Sequence, residues 1–381
     1  MNINLYQKSI QIILKNQSPS GAYVASPNFP TYRYCWLRDG SFIAYAMDLA
    51  GEHTSACAFH RWVAEVIQRY ASKVDDLERN LAIGVINIDD ILHTRYTLDG
   101  QEENQDHSWG NFQIDGYGTW LWALMEHIRI TGNVALLNEL SDGILTSLRY
   151  LRLTWKLPNY DCWEEHPEYL HSYSLGAVYA GFSSAVQMIE AGLKDVDLTE
   201  MKETACGVRD FLLRNGVHNG QLVKHIHPPY ADKEFGPVIS SGVDASLIAL
   251  VVPYNVLSMD DPIFISTFEA IERDLHLPGG GMYRYRADTY FGAGEWLLLT
   301  AWLGWYYVCR GQVVRAVPLL SWIGEKADSH GNLPEQISDQ LLAPKYYSYW
   351  LQRWGPVASP LLWSHAMYII LDNAIQKCKS K

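Results

Sequence analysis

The sequence predicts an all-α protein, an (α/α)6 barrel of six inner and six outer helices forming a single domain over residues 1–381. Three observations predict it. Helical periodicity runs through the whole chain in twelve stretches, and strand alternation is scarce. The stretches alternate between charged and nearly uncharged. The links that join them alternate between long and short.

In chain order the stretches are 2–15, 41–50, 54–73, 116–130, 134–156, 172–190, 197–214, 242–252, 261–275, 295–308, 312–328 and 359–375. The fourth shows the period cleanly, with Tyr117, Trp120, Leu121, Leu124, Met125 and Ile128 at i, i+3, i+4, i+7 spacing. The odd-numbered stretches carry 27 charged residues in 107 positions, the even-numbered ones 7 in 86. A helix apolar all round must be covered on every side, whereas an amphipathic one faces water. The dry helices therefore form an inner ring and the wet ones an outer ring. Links from dry to wet are short, and four of the five hold a glycine (Gly51, Gly132, Gly192, Gly311) suited to ending a helix in a left-handed turn. Links from wet to dry, roughly 16–40, 74–115, 157–171, 215–241, 276–294 and 329–358, are long, and in an up-down ring they all emerge at one end. Long loops in a compact domain are usually functional or disordered, so the site belongs on that face.

A formal charge of −12 leaves no basic surface to hold phosphates, which argues against nucleic acid, anionic membranes and acidic substrates. The six cysteines are scattered without a C-x-x-C pair, a pattern that fits free thiols in a reducing cytoplasm better than a disulfide framework. The first residues lack the basic-then-apolar order of a signal peptide, and the longest apolar run, Trp296–Val308, is too short to span a membrane. The expectation is a soluble cytoplasmic protein. Fourteen Trp and twenty-four Tyr supply flat rings with polar edges, which suit either sugar faces or a large aromatic core.

Candidate chemistry sits in the long loops. The first ends in Tyr32-Arg33-Tyr34-Cys35-Trp36-Leu37-Arg38-Asp39, where Arg38 and Asp39 offer a donor and an acceptor for vicinal hydroxyls. Asp39 is equally placed to cap the next helix. The third holds Asp161-Cys162-Trp163-Glu164-Glu165, adjacent acids whose mutual repulsion and apolar neighbours raise a carboxyl pKa, unless the pair is an exposed turn. The sixth holds Pro334-Glu335-Gln336, and only closure of the ring brings Glu335 to Glu164, 171 residues earlier. Two carboxyls across an anomeric centre are the core of glycoside hydrolysis. His225-Ile226-His227 with Asp232 offers a metal site as an alternative reading of this loop.

These segments resemble glycoside hydrolase family 15. The resemblance is carried by Tyr32–Asp39, 109–116 (Trp-Gly-Asn-Phe-Gln-Ile-Asp-Gly), Asp161–Glu165, Arg284–Tyr290 and Pro334–Gln336, all in the family's order. It implies that Glu164 is the general acid and Glu335 the general base. It also implies substrate contacts from Tyr32, Trp36, Arg38, Asp39, Trp109, Asp115, Trp163, Glu165, Arg284 and Trp363, with no metal and no cofactor. The sequence departs from fungal members at Glu295-Trp296 and at His166-Pro167-Glu168, and lacks their second domains. The implied activity is inverting, exo-acting hydrolysis that releases β-glucose from short α-linked isomalto- or malto-oligosaccharides. Trehalose hydrolysis, glucosyl transfer, phosphorolysis, sugar epimerisation and non-catalytic sugar binding are the other readings on such a barrel.

Overall fold

The structure is a computed structural model that describes residues 4–102, 110–228 and 242–379. Its fold is the expected (α/α)6 barrel. The inner ring comprises α2 (Leu37–Leu49), α5 (Asp115–Thr131), α8 (Ser172–Glu190), a short 3-10 segment (Ala245–Leu250), α11 (Leu297–Cys309) and α14 (Leu362–Lys379). Each of these packs on the next, and α14 closes on α2. The outer ring comprises α1 (Leu5–Lys15), α3 (His53–Arg69), α7 (Ser141–Thr154), α9 (Leu198–Asn215), α10 (Pro262–Leu275) and α12 (Val313–Glu325). Burial follows the charge pattern: every side chain from Leu297 to Val308 of α11 is buried, whereas α9 buries only Met201, Ala205, Val208 and Leu212.

The fourth inner stretch, expected as an α-helix over 242–252, is the short 3-10 segment instead. Asp244 caps it by accepting from the Ser246 amide, and Pro253 disfavours α geometry at Val252. Too few residues remain between them for a full α-helix, and 3-10 geometry suits such short pieces. The expected helix 54–73 ends at Arg69, and a further amphipathic helix, α4 (Ala71–Ala82), occupies the start of the second long loop. It buries only Val74 and Leu77, a stripe too narrow to stand out among its charges. The expected helix 134–156 is interrupted at Leu140, giving α6 (Ala135–Glu139) ahead of α7.

Two features place the long loops. All four link glycines adopt positive φ, and Gly132 shows why: at φ 71° its amide returns to Ile128 O at 2.7 Å, which ends α5 in a single residue. At the other end, pairs of two-residue strands tie neighbouring loops together. Antiparallel pairs join β1 (Cys35–Trp36) to β2 (Arg95–Tyr96), β3 (Leu170–His171) to β6 (His225–Ile226), and β7 (Glu295–Trp296) to β8 (Gln336–Ile337). β1, β3 and β7 each run straight into an inner helix, so the ladders fix the backbone where the inner helices begin. The remaining pair, β4 (Val217–His218) with β5 (Gln221–Leu222), is a local hairpin after α9. No helix among the described residues is long and apolar enough to cross a membrane.

Candidate active site

The loop face holds a cavity of about 260 Å³. It is lined by residues from the loops before α2, α8, α11 and α14 and from the first turns of α2 and α14, among them Tyr32, Trp36, Arg38, Asp39, Trp163, Glu164, Glu165, Arg284, Glu335 and Trp363. Tyr32 Oη donates to Glu335 Oε1 at 3.2 Å, its ring meets that of Trp36 edge-on at 5.6 Å, and Trp36 Nε1 donates to Glu164 Oε1. An aromatic pair thus links the two carboxyls.

The acid loop is held by one aspartate. Asp161 Oδ1 accepts from the Trp163 and Glu165 amides, both at 2.9 Å, and its carbonyl accepts from the Glu164 amide. Glu164 itself has φ 65°, a left-handed conformation that costs a non-glycine residue about 1–3 kcal/mol and is kept by its surroundings. Lys224 supports Asp161 from behind, with Nζ 3.2 Å from Asp161 Oδ2 and 3.4 Å from Asp244 Oδ2. Burial would raise the Asp161 carboxyl, but Lys224 and His171 outweigh it and hold the group down at about 2. Asp244 in turn accepts from Trp163 Nε1 at 2.9 Å, so the wall beside the acid is fixed from two sides.

Glu335 is 4% exposed, and its Oε2 has no hydrogen-bond partner among the described residues. Burial pushes its pKa up to about 8 against the opposing pull of Arg284 and Tyr32. In its ionised form, favoured as pH rises towards that value, this oxygen without a partner is an acceptor for a water proton. At the cavity's base, Arg38 Nε and Asp39 Oδ1 lie 3.3 Å apart without a hydrogen bond, and neither has another partner among the described residues. Such a donor–acceptor pair matches two adjacent sugar hydroxyls. Burial raises Asp39 to about 7 despite Arg38. Arg284 is 3% exposed, grips Asp288 through two nitrogens, and has Trp163, Tyr285, Tyr290 and Trp296 within 5.0–5.4 Å of its guanidinium carbon. That aromatic cage holds the charge where its side chain reaches the cavity.

The family model described as "Glycosyl hydrolases family 15" matches residues 1–372. The chain belongs to this family. It is 39% identical to an isomaltose glucohydrolase from Kribbella flavida over 97% of this chain and 92% of that one. It matches a solved glycosidase in complex with glucose at a TM-score of 0.89 and 38% identity, over 98% of this chain and 96% of that one. A trehalase from Thermoplasma acidophilum is 27% identical over 84% of this chain, which spans about half (55%) of that longer protein.

Of the ten residues expected to contact the substrate in this family 15 chain, eight lie around the cavity. Tyr32, Trp36, Arg38, Asp39, Trp163, Glu165, Arg284 and Trp363 line the cavity. Asp115 does not: it is fully buried behind the wall, where Arg38 Nη1 reaches it at 3.1 Å, so it orients Arg38. Trp109 lies outside the described residues, as does Asp232 of the metal reading. Glu165 is tied to Arg284 Nη2 at 3.4 Å and to the Tyr285 hydroxyl, and burial raises its pKa against Arg284 and Lys224. Asp39 sits in the first turn of α2 while Trp36 holds the capping position, so Asp39 is not the cap. Glu295 turns away from the cavity to accept from the Gly281 amide at 2.8 Å, leaving Trp296 to line the wall.

Sequence reasoning passed over several groups in the family 15 site. Tyr290 bonds Tyr32 at 2.8 Å, hydroxyl to hydroxyl; it closes the Arg284–Tyr290 motif, and its position there was the available signal. Lys224 precedes the two histidines weighed as ligands, and no periodicity marks it as buried. A helix in the sixth loop, α13 (Tyr347–Trp354), brings Trp350, Arg353 and Trp354 to the rim. Its i, i+3, i+4, i+7 spacing of Tyr347, Trp350, Leu351 and Trp354 is legible in the sequence.

Proposed function

We propose that the protein is an exo-acting, inverting α-glucosidase that removes glucose from the non-reducing end of short isomalto-oligosaccharides. The observation that carries this reading is the cavity itself. It gathers two carboxyls from distant loops, with Arg38 Nε and Asp39 Oδ1 also lining it and without hydrogen-bond partners among the described residues. Glu164 gives its proton to the glycosidic oxygen as the C1–O bond breaks. Glu335 Oε2 takes a proton from the water that attacks C1 on the opposite face, so the new hydroxyl is equatorial and the product is β-glucose. Tyr32 and Trp36 hold the two acids at fixed positions, and Arg38, Asp39 and Arg284 grip hydroxyls of the terminal ring. Contacts that strengthen as the ring flattens lower the barrier rather than only binding the substrate.

The choice of α-1,6 linkage rests on the isomaltose glucohydrolase, whose likeness extends over 97% of this chain and 92% of its own length. Trehalose is the second reading, favoured by the more distant trehalase. Six unpaired thiols, three of them buried, support action in a reducing cytoplasm. The test is glucose release by the purified protein from isomaltose, maltose and trehalose, with proton NMR of the first product. The expected result is fastest release from isomaltose and initial β-glucose. Faster cleavage of trehalose would replace the substrate, and an initial α-anomer would remove Glu335 from its role as base.

A further inference from the structure

A second constellation of ionisable side chains lies at the other end of the barrel. α2 carries Asp39 at its pocket end and Asp48 in its last turn, about 14 Å further along the axis at 1.5 Å per residue. There Asp48 meets His60 of α3 and His127 from the last turns of α5. Each offers one ligand atom, and the three atoms lie within 4.8 Å of one another. All three side chains are buried. His127 Nδ1 is 2.9 Å from both Asp48 oxygens, and the Cys57 side chain lies beside the same histidine. His53 Nδ1, 2.9 Å from Asp48 Oδ1, has a side chain 44% exposed and opens a path to solvent. His53, Cys57 and His60 share one face of α3, at i, i+4 and i+7.

An ion-paired aspartate and histidine need no metal. His60 is the residue that such a pair leaves unexplained. It is 0% exposed, and neither ring nitrogen has a hydrogen-bond partner among the described residues. A neutral imidazole carries one donor and one acceptor, and native interiors rarely leave both unpaired. Its ring lies against that of His127, tilted at 49° with centroids 5.2 Å apart. Ligands about 2.0–2.1 Å from a tetrahedral ion sit about 3.4 Å from each other, which falls between the 2.9 Å His127–Asp48 contact and the 4.8 Å that bounds the cluster.

We propose that Asp48, His60 and His127 form a structural site for a divalent transition metal of the zinc class. Two imidazoles with a thiol alongside select zinc over magnesium or calcium, which take oxygen ligands. The ion would fasten α2, α3 and α5 at the end of the barrel away from the pocket. The other buried cluster of similar composition, Asp161, His171 and His225, serves as a control. There His171 Nε2 donates to Asn159 O at 2.7 Å, the two Nδ1 atoms meet at 3.1 Å, and Lys224 already supplies a cation 3.2 Å from Asp161.

The test uses the full chain, stripped of metal with a chelator and then titrated with zinc chloride. Calorimetry should give one zinc per chain, thermal unfolding should move to higher temperature, and cobalt(II) in place of zinc should give the intense visible absorption of a four-coordinate ion. Glucose release should be the same with and without the metal, because the pocket is at the other end. His60→Ala and His127→Gln should each weaken zinc binding by at least about a hundredfold, while His225→Ala should leave it unchanged. Failure of the wild type to bind zinc stoichiometrically would overturn the proposal even if the variants do not fold. Binding that survives both His60→Ala and His127→Gln, or is lost in His225→Ala, would overturn it as well.

Discussion

Asp39 and Glu335 are carboxyls that the fold holds at the expense of their charge. Each is buried and displaced upward, to about 7 and about 8, from ordinary values near 4. Between those limits the unfolded chain has released the proton and the folded chain retains it. Stability therefore falls as pH rises from about 4 towards 8, since the unfolded state binds fewer protons over that range. Glu335→Gln removes this penalty along with the proposed base. The expected result is no measurable hydrolysis, together with a melting temperature that exceeds the wild type's by more at pH 8 than at pH 4.5. An equal difference at both values would mean that Glu335 is not displaced. Asp39→Ala separates the two roles open to that residue. A hydroxyl clamp predicts a fall in kcat/KM of at least about a hundredfold with little change in melting temperature. A helix cap would instead cost about 0.5–2 kcal/mol of stability and spare catalysis. The position of Trp36 at the cap of α2 favours the first outcome.

At the scale of elements, the barrel depends on how closely its inner helices approach. α5 and α8 cross at Gly118 and Gly181, where a Cβ built on Gly118 would fall 2.2 Å from Ala177 O and one on Gly181 2.9 Å from Gly118 Cα. Backbone cannot yield there as a flexible side chain would. Gly118→Ala should therefore destabilise the protein by about 1–3 kcal/mol, read as a lower denaturant midpoint, by pushing two inner helices apart. If the midpoint is unchanged, the contact is looser than drawn. The fourth inner position shows the opposite economy. Six residues of 3-10 geometry replace a helix, yet Ala245–Leu250 are all buried and still fill the ring between α8 and α11. The two-residue strand pairs are too short to show in a periodicity, and they exist because neighbouring loops arrive side by side where their helices start.

For the molecule as a whole, the sequence by itself determined the alternation of dry and wet helices, hence the barrel, the loop-bearing end and the candidate acids. That follows because burial on all sides demands an apolar surface all round, and such a surface is written residue by residue. It also determined the family, through short motifs in a fixed order across residues 32–336. Tertiary structure decided what depends on partners far apart in the chain. Asp115 and Arg38 are 77 positions apart, and nothing local says that one stands behind the other. The support of Glu164 by Asp161 and Lys224, the caging of Arg284 by four rings, and the arrival of α13 at the rim all arise when separate loops meet over the ring. The gathering of Asp48, His60 and His127 is of the same kind, since three helices carry them and no spacing relates them. Periodicity reports which face of a helix is buried; only closure of the ring settles which side chain it is buried against, because contact distances depend on the packing of helices and not on their order.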